Sequence, residues 1–515
     1  MGHEQAASVG DRTSLFALDK PGEECGLVAI YGPDNPVGAI LFNGLKSIQN
    51  RGRSGAGIAY SHSEQGRAGL RIHKGFGNVD QAIAAEIAPQ SHNNYTSPVD
   101  FEEQAMVGIG HVRWSTDISE SYEALHPHHG QQSEIAVAHN GHILNMREVA
   151  ARYGIVGGEH DTDSSLFTAT LDLVTKWEDG NIQHALQELT IQLEGAFCFV
   201  IIQGEELIYV RDPRGYRPLS LAELPDNRGF MVASEGAAFA AADATFLRDV
   251  EPGEIGTINQ SGLHSEMIYR IEPRQHCMYE YIYNARPDSR INGASVYQSR
   301  KNMGKYLAID ASVEADVVIG VPDSGLPSAA GYAKESGLEL AFGIIKNPEV
   351  GRSFQQRGER QAQTLREKFL YIREELAGKR IVLIDDSVIK GRTMQALISE
   401  LREAGVAEIH VRSAAPVFTD ACYMGMDAGN IDELIARGRT NDQIAAIIGA
   451  DSFTCNSIAR VEQSIDEAIS QPGAPRLIGA LCTSCATGRY PFDVSKLQQD
   501  VALPIPRLRS SVAIS

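Results

Sequence analysis

Residues 381–394, IVLIDDSVIKGRTM, constrain the chain more than any other stretch. Four apolar residues suited to a buried strand run into two adjacent acids, Asp385 and Asp386. Ser387 and a turn through Gly391 follow, and Thr393 opens the amphipathic run MQALISELREAG. Strand, acidic loop and helix start, in that order, belong to an α/β layer. Backbone N–H groups at a helix start suit a phosphate. Paired carboxylates suit sugar hydroxyls or a magnesium ion, which takes oxygen ligands. The plainer alternative is that the acids only cap the helix; spacing alone leaves both open.

The surroundings extend that pattern. VVIGV (317–321) leads into the turn PDSG and a helix ending near Gly337, LAFGIIK (340–346) reads as a strand, and a charged stretch covers 351–380. EIHVRSAAPV (408–417) reads as a further strand, and residues 430–470 as helical. Strands alternating with helices predict a parallel, doubly wound sheet with ligands at the carboxyl ends of its strands. From Cys25 to about Ile271 the chain instead shows short β-like runs, among them LVAIYG, AGIAY, MVGIGHVRW, IAVAHNGHI, FCFVIIQ, ELIYVRD and FMVASE. Helical patterns near 37–50 and 163–193 interrupt them. This predicts stacked antiparallel sheets with helices, an α+β unit.

At 515 residues the chain is long enough for two domains. A net charge of −20 argues against nucleic acid as the main partner. No run approaches the ~20 apolar residues of a membrane helix, and residues 1–24 lack the apolar core of a secretory signal. A cytoplasmic location is expected. The odd count of seven cysteines argues against a disulfide framework. Cys25, taken alone, reads as a small buried hydrophobe beside a strand. Cys482 and Cys485 have the C-x-x-C spacing of a metal or cluster site, but two ligands are not enough. Buried cysteines and a zinc site both stay open on that evidence.

The acidic loop resembles the phosphoribosyl pyrophosphate (PRPP) motif of type I phosphoribosyltransferases. GEECGLVAIYG (22–32), RGRSGAGIAY (51–60), GHVRWST (110–116), AHNGHILN (138–145) and HDTDSSL (160–166) resemble class II glutamine amidotransferases, which are N-terminal nucleophile hydrolases. VEPGEIGTI (250–258), YIYNARPDS (281–289) and GVPDSGLPSAAGYA (320–333) carry the similarity into the glutamine PRPP amidotransferase family, from Cys25 to about Val494.

That resemblance implies a leader over 1–24, an αββα glutaminase domain over 25–271, an α/β type I phosphoribosyltransferase domain over 272–500 and a tail over 501–515. Cleavage between Glu24 and Cys25 would leave Cys25 as the nucleophile. Its freed amine, of pKa about 7.7–8.0, would serve as base to a thiol of pKa about 8.5. Asn140 and Gly141 would form the oxyanion hole, while Arg113 and Asp161 would take the glutamine α-carboxylate and α-amino groups. Ser324, Asp385 and Asp386 would surround Mg2+ and PRPP; Asp323, Lys346 and Arg352 would face the pyrophosphate; Ser387, Gly391 and Thr393 would hold the 5′-phosphate. Cys277, Cys422, Cys482 and Cys485 would carry a [4Fe–4S] cluster, with Cys198 and Cys455 as packing residues.

The implied reaction takes glutamine and PRPP to 5-phosphoribosylamine, glutamate and pyrophosphate, the first step of de novo purine synthesis, with ammonia crossing between the domains in an enclosed passage. Purine nucleotide inhibitors and a homodimer or homotetramer are also implied. The chain departs from the family at KNPEVGRSF (346–354), where the family reads KNRYVGRTF, and at Lys390, Arg392 and Met394 of the phosphate loop. Those departures keep open a diverged glutaminase with another phosphosugar acceptor. A non-enzymatic, nucleotide-binding relative is the third reading, against which Cys25 and the intact acid pair weigh.

Overall fold

The computed structural model describes residues 25–33, 35–64, 67–87, 105–114, 121–158, 161–348, 368–426 and 431–494. The expected leader, the tail and Arg352 lie outside them.

The strands of the first half are β1 (Gly26–Tyr31), β2 (Gly55–Glu64), β3 (Arg67–Phe76), β4 (Val107–Arg113), β5 (His128–Gly130), β6 (Ile135–Ile143), β7 (Gly195–Gln203), β8 (Glu206–Arg211), β9 (Ser220–Glu223), β10 (Phe230–Ala233), β11 (Thr245–Asp249), β12 (Glu254–Asn259) and β13 (Gly262–Met267). They form two antiparallel sheets, ordered β11-β9-β10-β1-β4-β2-β3 and β13-β12-β8-β7-β6-β5. Helices α1 (Val37–Ser47) and α2 (Val79–Ile87) cover the first sheet; α3 (Met146–Arg152), α4 (Asp163–Trp177) and α5 (Ile182–Thr190) cover the second.

Strand β1 shows why the layers stack. Successive side chains point to opposite faces, and all six residues are buried. Val28 and Ile30 pack under α1, while Leu27, Ala29 and Tyr31 enter the core between the sheets with Ala136, Ala138 and Val200. The result is the αββα sandwich expected, with β1 central between β10 and β4. Cys25 therefore sits at the end of the best-anchored strand.

The second half begins with β14 (His276–Cys277), β15 (Arg290–Ile291) and β16 (Ala294–Ser295), followed by helix α6 (Val296–Asp310). Then come β17 (Val317–Gly320), helix α7 (Leu326–Ser336), β18 (Glu339–Leu340), β19 (Ile344–Lys346), β20 (Phe369–Tyr371), β21 (Arg380–Asp385), β22 (Glu408–Ser413), β23 (Ser452–Cys455) and β24 (Leu481–Cys482). A five-stranded sheet, ordered β18-β17-β21-β22-β23, is parallel throughout. Alternate residues of β21 explain the apolar run: Ile381 and Leu383 face the helix Arg392–Glu403, and Val382 and Ile384 face α6 and α7.

Three sequence expectations need correction. Residues 340–346 are not one strand: β18 joins the parallel sheet, while β19 turns away to pair with β20. Gly343 lies at the break, where a Cβ would come within 2.7 Å of Leu376 and 2.9 Å of Ile319. Residues 430–470 are not helical throughout, because β23 forms the sheet edge between helices Asn441–Ile448 and Ile458–Asp466. The pattern over 163–193 is two helices, divided where Gly180 takes φ +89° and Asn181 caps the next helix by accepting from His184 N–H.

Candidate active sites

Cys25 is half-buried ahead of β1, and its carbonyl accepts from Arg51 Nε at 3.0 Å. Arg51 is itself buried; it donates to Glu235 at 2.8 Å and to Glu280 at 2.7 Å. Glu280 opens the first turn of the second half, and Arg217 stands 3.5 Å from it. A buried ion network thus runs from the backbone of Cys25 into the other half.

Asn140 and Gly141 lie on β6, opposite Cys198 and Phe197 of β7. The Asn140 side chain is buried, and its Nδ2 has no hydrogen-bond partner among the described residues. A buried donor left unpaired is costly, which makes this amide a candidate hydrogen-bond donor. Gly141 has φ +145°, and a Cβ there would lie 2.0 Å from the Ala196 carbonyl oxygen. Only glycine fits.

Arg113 ends β4, and its Nη1 donates to the Ala124 carbonyl. Asp161 is exposed just before α4, accepting from Gly158 N–H at 2.6 Å. Arg147 Nη2 and Ser165 Oγ also donate to it, and among the described residues no hydrogen bond or ion pair joins Asp161 to β6. Asp163, which sequence reasoning passed over, does reach it: Oδ2 accepts from Ile143 N–H at 2.9 Å and lies 3.8 Å from His139. Burial pushes the Asp163 carboxyl up, but His139, His142 and two backbone N–H groups outweigh it and hold the carboxyl low.

Also missed was a stack of buried histidines beneath this site. His111 and His126 stack at 4.2 Å, His126 and His128 approach to 4.5 Å, and His139 precedes Asn140. The only signal was LHPHHG (125–130), where two histidines flank a proline.

At the second site the loops after β17 and β21 meet as expected. A Cβ on Gly325 would lie 2.5 Å from the Ile384 carbonyl oxygen, so PDSG packs on the carboxyl end of β21. Asp385, Asp386 and Ser387 are buried; Asp385 accepts from Asp386 N–H at 2.9 Å, and Asp386 from Ser387 Oγ at 2.7 Å. Asp323 pairs with Lys346 at 2.7 Å, both exposed. Gly391 caps the helix Arg392–Glu403 at φ +81°, and Thr393 lies in its first turn. The departing residues Lys390 and Arg392 share one partner, Glu433, at 2.8 and 3.1 Å. Their hydrogen bonds hold the Glu433 carboxyl below its usual range, with Lys390 the larger influence. A Cβ at position 391 would face the left-handed penalty of about 1–2 kcal/mol and would lie 2.4 Å from Ile435. Gly391→Ala is therefore expected to raise the KM for PRPP about tenfold with glutamine KM unchanged, which steady-state kinetics checks.

The four implied cluster cysteines converge. Cys277 and Cys482 are paired neighbours in the parallel β14–β24 ribbon. Burial, then the charges of Cys422, Cys482 and Cys277, push the Cys485 thiol well up; burial and Cys422 push Cys482 up to about 11. Among the described residues no three His, Cys, Asp or Glu side chains are arranged to hold a single metal ion. Cys198 is buried in the inter-sheet core and Cys455 packs beside β22, as expected.

Comparison with known proteins matches both halves. Residues 111–241 match the glutamine amidotransferase domain family, and residues 292–442 the phosphoribosyl transferase domain family. The amidophosphoribosyltransferase of Bacillus subtilis is 35% identical, over 94% of this chain and 96% of its own length. The chain belongs to the amidophosphoribosyltransferase family. The Archaeoglobus fulgidus member is 36% identical over 91% of this chain and 98% of its own. The solved structure of glutamine PRPP amidotransferase from B. subtilis, complexed with ADP and GMP, superposes with a TM-score of 0.78 at 34% identity, covering 92% of this chain and 98% of that one. No helix among the described residues is long and apolar enough to cross a membrane.

Proposed function

We propose that this chain hydrolyses glutamine at Cys25 and transfers the ammonia to PRPP, giving 5-phosphoribosylamine, glutamate and pyrophosphate, the first step of de novo purine synthesis. The observation that carries the reading is the buried Asn140 amide beside Gly141, unpaired among the described residues, in a chain where Arg51 ties the Cys25 backbone to Glu280 of a second half whose acids end a parallel strand.

With the leader removed at Glu24–Cys25, the freed α-amino group takes the thiol proton. The sulfur attacks the side-chain carboxamide carbon of glutamine, the carbonyl electrons move to oxygen, and Asn140 Nδ2 with the Gly141 N–H donates to that oxyanion. Collapse breaks the C–N bond, ammonia departs with the proton, and water then hydrolyses the thioester to glutamate. Arg113 holds the α-carboxylate and Asp161 the α-amino group.

In the other half, Asp385 and Asp386 hold the ribose hydroxyls, and Ser387, Gly391 and Thr393 seat the 5′-phosphate on a helix start. Ser324 and the two acids would supply the oxygen donors that Mg2+ prefers, and the ion would neutralise charge on the departing pyrophosphate. Asp323 and Lys346, which pair with each other at 2.7 Å, and Arg352 on the resemblance alone, would face that leaving group.

Cys277, Cys422, Cys482 and Cys485 would be the four thiolate ligands of a [4Fe–4S] cluster, a reading supported by their packing in one region. Held by these residues, such a cluster would tie the two ends of the second half together. Purine nucleotides are the expected regulators, as the ADP and GMP of the B. subtilis structure suggest, and a homodimer or homotetramer the expected assembly. The test is glutamate release by purified protein with Mg2+. Addition of PRPP should stimulate it several-fold; release indifferent to PRPP sinks the reading in favour of another acceptor sugar.

A further inference from the structure

Gly141 is enclosed from two sides. On one is the Ala196 carbonyl of β7; on the other is Gly425, whose added Cβ would lie 3.2 and 3.4 Å from the Gly141 carbonyl carbon and oxygen. Gly425 takes φ +92° and belongs to the run Cys422-Tyr423-Met424-Gly425-Met426, which also carries one of the four converging cysteines. Met424 packs in a small apolar cluster with Ala196 and Tyr216, flanked by Cys422 and Cys482.

Arg217 fastens this strap. It is 1% exposed; its Nη2 donates to the Met424 carbonyl at 2.7 Å, and the same nitrogen would lie 2.9 Å from a Cβ on Gly425. Its backbone carbonyl accepts from Arg211 Nε at 2.8 Å and from Cys198 Sγ at 3.7 Å. Cys198 is the residue directly opposite Asn140. One arginine thus touches the strap through its side chain and the back of the Asn140 position through its main chain.

We propose that Gly425 and Arg217 are positioning residues for the Asn140–Gly141 oxyanion hole, so that the anchorage of residues 422–426 sets the rate of glutamine cleavage directly. The segment that holds Cys422 is then a wall of the glutaminase site as well as part of the cysteine centre. The inference rests on the assignment of Cys25 as a glutaminase nucleophile.

Gly425→Ala tests it, because a methyl group there must displace either the Gly141 peptide or the Arg217 fork. Glutamate release should lose at least tenfold in kcat, with KM for glutamine changed less than threefold. Synthesis supported by added ammonium salt, which bypasses Cys25, should stay within twofold of the parent, as should iron content, with the melting temperature lowered only by the left-handed strain that a methyl at φ +92° carries. Arg217→Lys keeps the positive charge beside Glu280 but removes the fork, and should show the same split at smaller size. The proposal is overturned if either soluble variant keeps parental glutamine turnover, or if ammonia- and glutamine-supported rates fall together. Should Gly425→Ala not fold, Arg217→Lys decides alone by the same criteria, and failure of both to fold also overturns it, since it would show a purely structural role. A parent chain that releases no glutamate would instead fail the underlying assignment, which separates the two.

Discussion

Asn140→Ala lowers the turnover of glutamine by about 10²–10³-fold, leaves the KM for glutamine near the parental value, and spares ammonia-supported synthesis. The split follows from the state of the amide before substrate arrives. Asn140 Nδ2 is buried without a partner, so truncation breaks no hydrogen bond of that donor. An unmade bond carries a desolvation cost of about 1–3 kcal/mol, and its removal should leave the unfolding midpoint unchanged or slightly raised. The loss falls where the donor is first satisfied, on the oxyanion of the tetrahedral state. An interaction made only there lowers kcat and kcat/KM together. Steady-state kinetics with a parallel urea titration checks both halves. A variant with raised KM and unchanged kcat would mean that Asn140 binds ground-state glutamine instead.

The acidic loop was readable because its determinants are local. Ile381–Ile384 form a buried strand, Gly391 is required by a left-handed cap, and Met394, Leu397, Ile398 and Leu401 line one face of the following helix. The layered antiparallel half was legible for a similar reason: short apolar runs between turns. Strand β23 was not legible. SFTC is four residues long, flanked by helices, and only pairing with β22 makes it a strand. The contacts that unite the two sites were hidden for a different reason. Arg51 meets Glu235 and Glu280 across 184 and 229 residues, and nothing in RGRSG signals either partner. Lys390 and Arg392 looked like damage to a phosphate loop, yet both are paired with Glu433, so the departure is a packed local exchange whose compensating acid lies about forty residues away in sequence. The resemblance directed attention to Asn140–Gly141, but the histidines packed beside that strand carry no periodicity to betray them.

Acid should unfold the first half well before its carboxylates titrate. His111, His126, His128 and His139 are all buried, and burial is the leading cause that lowers each of them: His128 to about 3, His139 to about 4, and the other two well below the usual value. Neighbouring charge acts in both directions. Arg113 opposes protonation of His111, His126 and His128, Lys74 opposes it at His128, and His142 and Arg217 oppose it at His139, while Asp163 favours it at His128 and His139. Folded, the four stay neutral; unfolded, each titrates near about 6.5. The unfolded chain therefore binds more protons below that value, and stability falls as pH drops. Stability is full above about pH 7, and the loss continues down to the folded values. At pH 5 His128 and His139 each cost about 2 kcal/mol relative to pH 8, and His111 and His126 act in the same direction. Losses of that size are a large fraction of the total stability of about 5–15 kcal/mol expected of a domain. The urea midpoint of unfolding should drop steeply from pH 8 to pH 5, with glutaminase activity lost irreversibly at the lower end. His128→Phe removes one titrating ring and should flatten that slope. A midpoint independent of pH across this window would show that the histidines are already protonated in the fold, with a counter-ion taking the place assigned here to burial.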